Sequence, residues 1–221
     1  MRIIYIPGFG EKANIFEKIA PHIAAEESLF LDNWELLGNK VQNGIDVLQY
    51  ATELVALYQI NEKDIIIGHS MGGWIALHIK HLTHCRIVQI ASWTNPDRLI
   101  LPISNPKLIY FLTKTGLYLN RFTQQYVIKR GYKDKPSEAI FTETFERLIK
   151  APKNNVINQL RLILTPIKAE ITVHPDLRIH AKRDKVIRPP REPFHEVSGD
   201  HFTLHTQPAE VYETIEKWLS S

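Results

Sequence analysis

Apolar and polar positions alternate along the chain in two rhythms. Short β-branched runs stop at turn residues, and longer stretches repeat apolar side chains every three or four positions. Ile3-Ile4-Tyr5-Ile6, halted by Pro7-Gly8, predicts a buried parallel strand and a turn. A helix is expected around Ala13 to Ala24, and Ser28-Leu29-Phe30-Leu31 predicts a second strand ending at Asp32. Val41, Ile45, Leu48, Ala51, Leu54, Val55 and Tyr58 fall on one face of a helix over 41–58. Asp64 to Gly68 predicts a third strand, Trp74 to Leu82 a helix close behind it, and Arg86 to Ala91 a fourth strand.

Strand and helix thus alternate through the first ninety residues, as in a parallel α/β sheet. From about Pro96 to Pro166 the pattern becomes helical without strands, with apolar sets such as Leu108, Phe111, Leu112 and Phe141, Phe145, Leu148. Asp176 to Ala181 and Phe194 to Val197 then predict two further strands, and Ala209 to Leu219 a closing helix. The expected architecture is a mainly parallel sheet of about six strands flanked by helices. Its core would comprise 1–95 and 167–221, with a helical cap at 96–166 inserted after the fourth strand.

Composition narrows the class without changing this picture. At 221 residues with 44% hydrophobic and 23% charged side chains, the chain has an ordinary globular make-up. A formal net charge of +3, with no basic run interleaved with aromatics, argues against nucleic acid as a partner. The single cysteine, Cys85, permits neither an internal disulfide nor a cysteine-rich metal site, which fits a reducing compartment. No stretch approaches the roughly 20 apolar residues of a membrane span, and the apolar run at the start is short for a signal peptide. A cytoplasmic location and no membrane partner are the expectation.

The chemistry begins at Gly68-His69-Ser70-Met71-Gly72, a Gly-x-Ser-x-Gly segment set between a predicted strand and helix. Reversing a strand into a helix at a serine forces a strained backbone, and small residues two positions to either side leave room for it. The turn would lift the hydroxyl to a helix N-terminus, where unpaired amides favour developing negative charge. Here the sequence resembles the α/β-hydrolase fold family, in which a segment like Gly68 to Gly73 carries the nucleophile. The resemblance implies a small serine esterase or thioesterase with Ser70 as nucleophile.

A serine hydroxyl needs a base that titrates near neutrality, and ten histidines compete for that role. His201 follows the last predicted strand in Gly199-Asp200-His201-Phe202, at the same sheet edge as Ser70, and is favoured over His205 and His195. An imidazole base needs a carboxylate to fix its tautomer. Asp184, just after the strand 176–181, is the candidate, and an acid after this strand serves the triad in the resembled family. Asp97 beyond the fourth strand is the reserve, because some members draw the acid from there, and Asp200 reads as a turn residue. The oxyanion donors are expected to be the backbone N–H of Met71, by its position after the nucleophile, and that of Phe9, by resemblance. No metal or organic cofactor is implied.

Other readings remain open. Gly8-Phe9-Gly10-Glu11-Lys12-Ala13, with Asp32 closing the second strand, also fits a Rossmann dinucleotide fingerprint. A non-catalytic binding protein on the α/β-hydrolase fold is a third possibility. His78, His81 and His84 recur every three residues, a spacing that on a helix turns them to different faces and argues against a shared metal.

In the cap, twelve Lys or Arg stand against five Asp or Glu, an excess of seven positive charges. That excess points to an anionic substrate, such as a carboxylate ester or an acyl group on an anionic carrier. Tyr118, Phe122 and Tyr126 follow i, i+4, i+8 spacing and are expected to share a helical face that roofs an acyl pocket. Trp34 and Trp93 are candidate pocket walls. Acyl-chain length, oligomeric state and the choice among ester, thioester, amide and carbon–carbon bonds are not written in these motifs.

Overall fold

The computed structural model describes all 221 residues. Its sheet grows from the β-branched runs. The strands are β1 (Arg2–Ile6), β2 (Glu27–Phe30), β3 (Ile65–His69), β4 (Arg86–Ile90), β5 (Leu177–Ala181) and β6 (His195–Val197). All pairings are parallel, in the order β2-β1-β3-β4-β5-β6. Alternation along each strand divides the core. Ile4, Ile6, Ile66 and Ile87 face one layer of helices, while Ile3, Tyr5, Ile65, Ile67, Val88 and Ile90 face the other. A sheet covered on both sides explains why the strands read as continuous apolar runs.

The first layer contains α1 (Asn33–Leu37), α2 (Val47–Tyr58) and α3 (Met71–Thr83). The predicted helix at 41–58 starts only at Val47. Asp46 caps it, accepting from the Gln49 N–H at 2.9 Å, and Val41 is exposed. The helix expected over 13–24 is not an α-helix. Two short 3-10 turns, Ala13–Phe16 and Ala20–His22, replace it, and Pro21, lacking an N–H, lies in the second. Ile15, Phe16 and Ile19 still bury their side chains, so the apolar spacing is used without the helix.

Between β4 and β5 lies the helical insertion: α4 (Pro106–Lys114), α5 (Arg121–Val127), a π turn at Ile128–Tyr132, α6 (Glu138–Lys150) and α7 (Lys153–Leu164). Its last helix is no loose flap. Asn158 of α7 donates to the carbonyl of Lys40 at 2.8 Å and accepts from the Gln42 N–H at 3.2 Å, and the Trp74 indole donates to the Leu162 carbonyl at 3.0 Å. The short α8 (Thr203–Thr206) and the closing α9 (Pro208–Leu219) complete the second layer. No helix is long and apolar enough to cross a membrane.

Strand order reverses between β1 and β3, because β2 lies outward of β1 on one side and β4 outward of β3 on the other. In such sheets the loops leaving the two strands at the reversal diverge at the carboxyl edge. The loop after β1 carries Phe9 and the turn after β3 carries Ser70.

Candidate active site

Ser70 occupies the single residue between β3 and α3, at φ 51° and ψ −119°, a strained conformation for a residue with a side chain. The flanking glycines are steric necessities. A Cβ on Gly72 would lie 1.9 Å from the carbonyl oxygen of Ile6, and one on Gly68 would lie 2.4 Å from the backbone of Gly72. The turn is fastened by the Ser70 N–H donating to Ile90 at 2.9 Å and by the Ser92 hydroxyl donating to the Ser70 carbonyl at 2.7 Å.

His201 sits in the loop between β6 and α8, its Nε2 3.1 Å from Ser70 Oγ and its Nδ1 2.8 Å from Asp184 Oδ2. Asp184 follows β5, with a fully buried side chain, and its other oxygen accepts from the N–H groups of Val186 and Ile187 at 2.7 and 2.9 Å. That leaves Oδ2 for the imidazole. A carboxylate fixes the proton on Nδ1 and turns the Nε2 lone pair toward the hydroxyl. Burial opposes charge on both groups, yet their mutual attraction prevails: Asp184 is held below its ordinary pKa and His201 above. The second neighbour of Asp184, His180 at 3.6 Å, is pushed the other way, because its own burial outweighs the carboxylate's pull.

A second buried chain of hydrogen bonds, unforeseen in the sequence, ties the Phe9 loop to the His201 loop. Glu11, 3% exposed, accepts the Gly8 N–H at 2.6 Å through Oε2, and the same oxygen lies 2.8 Å from Nδ1 of His69. His69 in turn reaches the backbone carbonyl of His201 through Nε2 at 2.9 Å. A carbonyl only accepts, so Nε2 is the donor in this contact. The insertion grips the same loop. Gln159 accepts the Gly10 N–H at 3.0 Å, and Arg147 donates to the Gly10 carbonyl at 3.0 Å. Gly10 has φ +76°, and a Cβ there would meet Leu148 at 2.7 Å. The backbone N–H groups of Phe9 and Met71 donate to no group in the chain.

Other candidates stand elsewhere. Asp97 is exposed and pairs with Arg191 at 3.4 Å, and Asp200 braces its own turn through the Phe202 N–H at 3.1 Å. His195 is exposed at the start of β6, and His205 lies within α8 with its carbonyl accepting from Lys18. His78 is fully buried and bonded to the Trp74 carbonyl, and burial lowers its pKa to about 4. Trp93 is buried against Trp74, and Trp34 is half-buried, its indole donating to the Glu11 carbonyl at 2.9 Å.

The expected aromatic roof is corrected. Tyr118 precedes α5 instead of sharing its face, because Asn120 starts that helix by accepting the Thr123 N–H. Phe122 and Tyr126 are 88% and 58% exposed and point to solvent. The dinucleotide reading fails on the loop after β1. That loop opens no α-helix to receive a pyrophosphate, and the Glu11 carboxylate already occupies the Gly8 N–H. Asp32, the supposed ribose ligand, caps α1 through the N–H of Trp34 at 2.8 Å.

No protein-family profile matches the sequence, and no curated protein does. Solved structures do match. An enol-lactonase from Burkholderia xenovorans LB400 superposes with a TM-score of 0.77 at 13% identity, over 100% of this chain and 91% of that one. A thermophilic esterase from Thermogutta terrifontis gives 0.72 at 16%, over 100% and 89%, and an esterase from Exiguobacterium antarcticum 0.66 at 13%, over 100% and 92%. With six parallel strands flanked by helices and a helical insertion after the fourth, this chain has the α/β-hydrolase fold.

Proposed function

We propose that the protein is a serine hydrolase that cleaves a carboxylic ester or thioester through an acyl-serine intermediate. The observation that carries this reading is the continuous hydrogen-bonded series Asp184–His201–Ser70, with contacts of 2.8 and 3.1 Å at the carboxyl edge of the sheet. In the proposed reaction Ser70 Oγ attacks the substrate carbonyl while its proton passes to Nε2 of His201. Asp184 stabilises the imidazolium that forms. The tetrahedral oxyanion is received by the N–H groups of Phe9 and Met71, which are free for it; one such donor typically contributes about 3 kcal/mol to transition-state stabilisation. His201 then returns its proton to the departing alcohol or thiol. Water repeats the sequence on the acyl-enzyme, releasing the acid and restoring Ser70.

Ester and thioester are favoured over amide and carbon–carbon cleavage because an alcohol or thiol is a far better leaving group than an amine or a carbanion, so less is demanded of the proton from His201. Residues 96–166 are proposed to act as the cap over a core of 1–95 and 167–221, and its positive excess to favour an anionic acyl substrate or carrier. The test is a series of p-nitrophenyl esters and acyl thioesters of graded length, with Ser70→Ala as control. The parent is expected to turn over at least one member, and Ser70→Ala to lose about 10³-fold or more in kcat. Equal rates for the two would refute the mechanism.

A further inference from the structure

Alternation along β3 sends the side chain of His69 to the same face as Ile65 and Ile67, into the layer that holds Phe202 and Leu204. An apolar side chain would suit that layer. The chain instead places an imidazole there, fully buried, with the Glu11 carboxylate, itself buried, against it. Well-packed hydrophobic residues of similar volume often stabilise a fold as well as a buried ionisable pair does. The hydrogen bonds of this pair give it a different use.

They reach three backbone segments that carry the proposed chemistry. The Glu11 N–H donates to the Gly8 carbonyl at 3.2 Å, while Oε2 of Glu11 accepts the Gly8 N–H at 2.6 Å. The Gly8 carbonyl and the Phe9 N–H belong to one planar trans peptide unit, so fixing the carbonyl fixes the opposite direction for the N–H. At the other end of the pair, Nε2 of His69 donates to the His201 carbonyl at 2.9 Å, with the two ring centroids 5.0 Å apart. Between these ends, His69 is the residue that immediately precedes Ser70. The neighbours of His201 are held from the insertion: Asp200 accepts from the Ser137 hydroxyl at 2.5 Å, and Phe202 packs against Tyr132 and Phe141. The carbonyl of residue 201 itself is held by His69.

We propose that Glu11 and His69 are positioning residues for the reaction, a buried strut that holds the Phe9 N–H and the His201 imidazole in fixed places about Ser70. The inference rests on the serine-hydrolase reading and adds to it a requirement at a distance from the reacting atoms. Misplacing a reacting group by about 1 Å can slow a reaction about 10²-fold. Such a loss falls on kcat and leaves KM in place, because the substrate's own contacts are unchanged. The strut also carries charge. Asp184 after β5, Asp200 in the same loop and Glu11 after β1 all favour the imidazolium at His201 against its burial, and the rings of His180 and His69 complete its titratable surroundings. Removing the negative charge of Glu11 therefore lowers the His201 pKa.

Steady-state kinetics on an ester or thioester that the parent hydrolyses test this, with Tm measured beside them on the full-length variants. His69→Asn keeps an amide near the position of Nδ1, facing Glu11, and loses the donor to the His201 carbonyl. His69→Gln carries its amide to the position of Nε2 and keeps that donor. His69→Asn is expected to lose about 10- to 100-fold in kcat with KM unchanged within about twofold, and His69→Gln to recover most of the loss. Glu11→Gln is expected to move the rising limb of kcat/KM to lower pH while Asp184 is intact. A parent-like kcat in His69→Asn, or an unmoved limb in Glu11→Gln, would show that the pair holds the fold and positions nothing, whatever the change in Tm. Should His69→Asn fail to fold, the limb in Glu11→Gln decides alone. If Ser70→Ala matches the parent, the hydrolase reading falls and this inference with it. If Ser70→Ala is inactive while the His69 and Glu11 variants behave as the parent, only this inference falls.

Discussion

Under the proposed mechanism Ser70 needs a neutral imidazole, whereas the pairing with Asp184 raises the His201 pKa above its ordinary 6.5. The kcat/KM of the free enzyme is therefore expected to climb with pH through an apparent pKa above 6.5. In Asp184→Asn burial of the ring is opposed only by the smaller pull of Glu11 and Asp200, so any residual activity should titrate lower, with kcat reduced by about 10³–10⁴. A pH–rate profile of both proteins checks this, and an unmoved limb would sink it. Stability follows the same pair. The His201 contribution is complete below its unfolded pKa of about 6.5 and fades as pH rises through the raised folded value. That of Asp184 is present above about 3.9 and fades as pH falls through its lowered one. Glu11 carries a different prediction, since removing it strands both the Gly8 N–H and a ring nitrogen of His69 in the interior. Glu11→Ala should cost about 2–4 kcal/mol in urea unfolding, against near-neutral changes at exposed Glu62.

Elements are where spacing and steric space meet. Gly72 opens α3 against β1 so closely that a methyl group would enter the Ile6 carbonyl. Gly72→Ala is expected to lose at least about 3 kcal/mol, a fall of about 6–12 °C in Tm for a domain of this size. By contrast Asp46→Ala removes only a cap from α2 and should cost about 1 kcal/mol, or about 2–4 °C. Calorimetry of the two variants separates a backbone clash from a lost hydrogen bond. Helix α5 shows where spacing misleads. Tyr118, Phe122 and Tyr126 have helical intervals, yet Gly116 at φ +77° and the Asn120 cap begin the helix after Tyr118, so the three never share a face.

Across the whole molecule the insertion and the sheet form one assembly, because α7 contributes Leu162 to the core and Gln159 to the Phe9 loop. Seven excess positive charges on the insertion should act at long range on an acidic substrate. With a carrier-linked or carboxylate-bearing acyl ester, kcat/KM is expected to fall several-fold as salt rises from about 0.05 to about 0.5 M. A neutral ester of equal length should be insensitive. Salt-independence for both substrates would assign the charge to ordinary surface solvation.

What this sequence settled unaided was local and periodic. Ile3 to Ile6, Ile65 to Ile67 and Ile87 to Ile90 announced a buried parallel sheet, and Gly68 to Gly72 a turn in which only glycines fit, because strand burial and backbone clashes act over a few residues. Ser70, Asp184 and His201 could be nominated because each follows a strand at the same sheet edge. Tertiary structure alone decided where Glu11, His69, Gln159 and Arg147 would meet, and that the Gly8–Ala13 fingerprint would fold around a carboxylate. Those contacts join residues 58 to 149 positions apart, or depend on a loop whose shape its partners impose. No short-range preference encodes such pairings; they emerge when the sheet fixes the directions in which its loops leave.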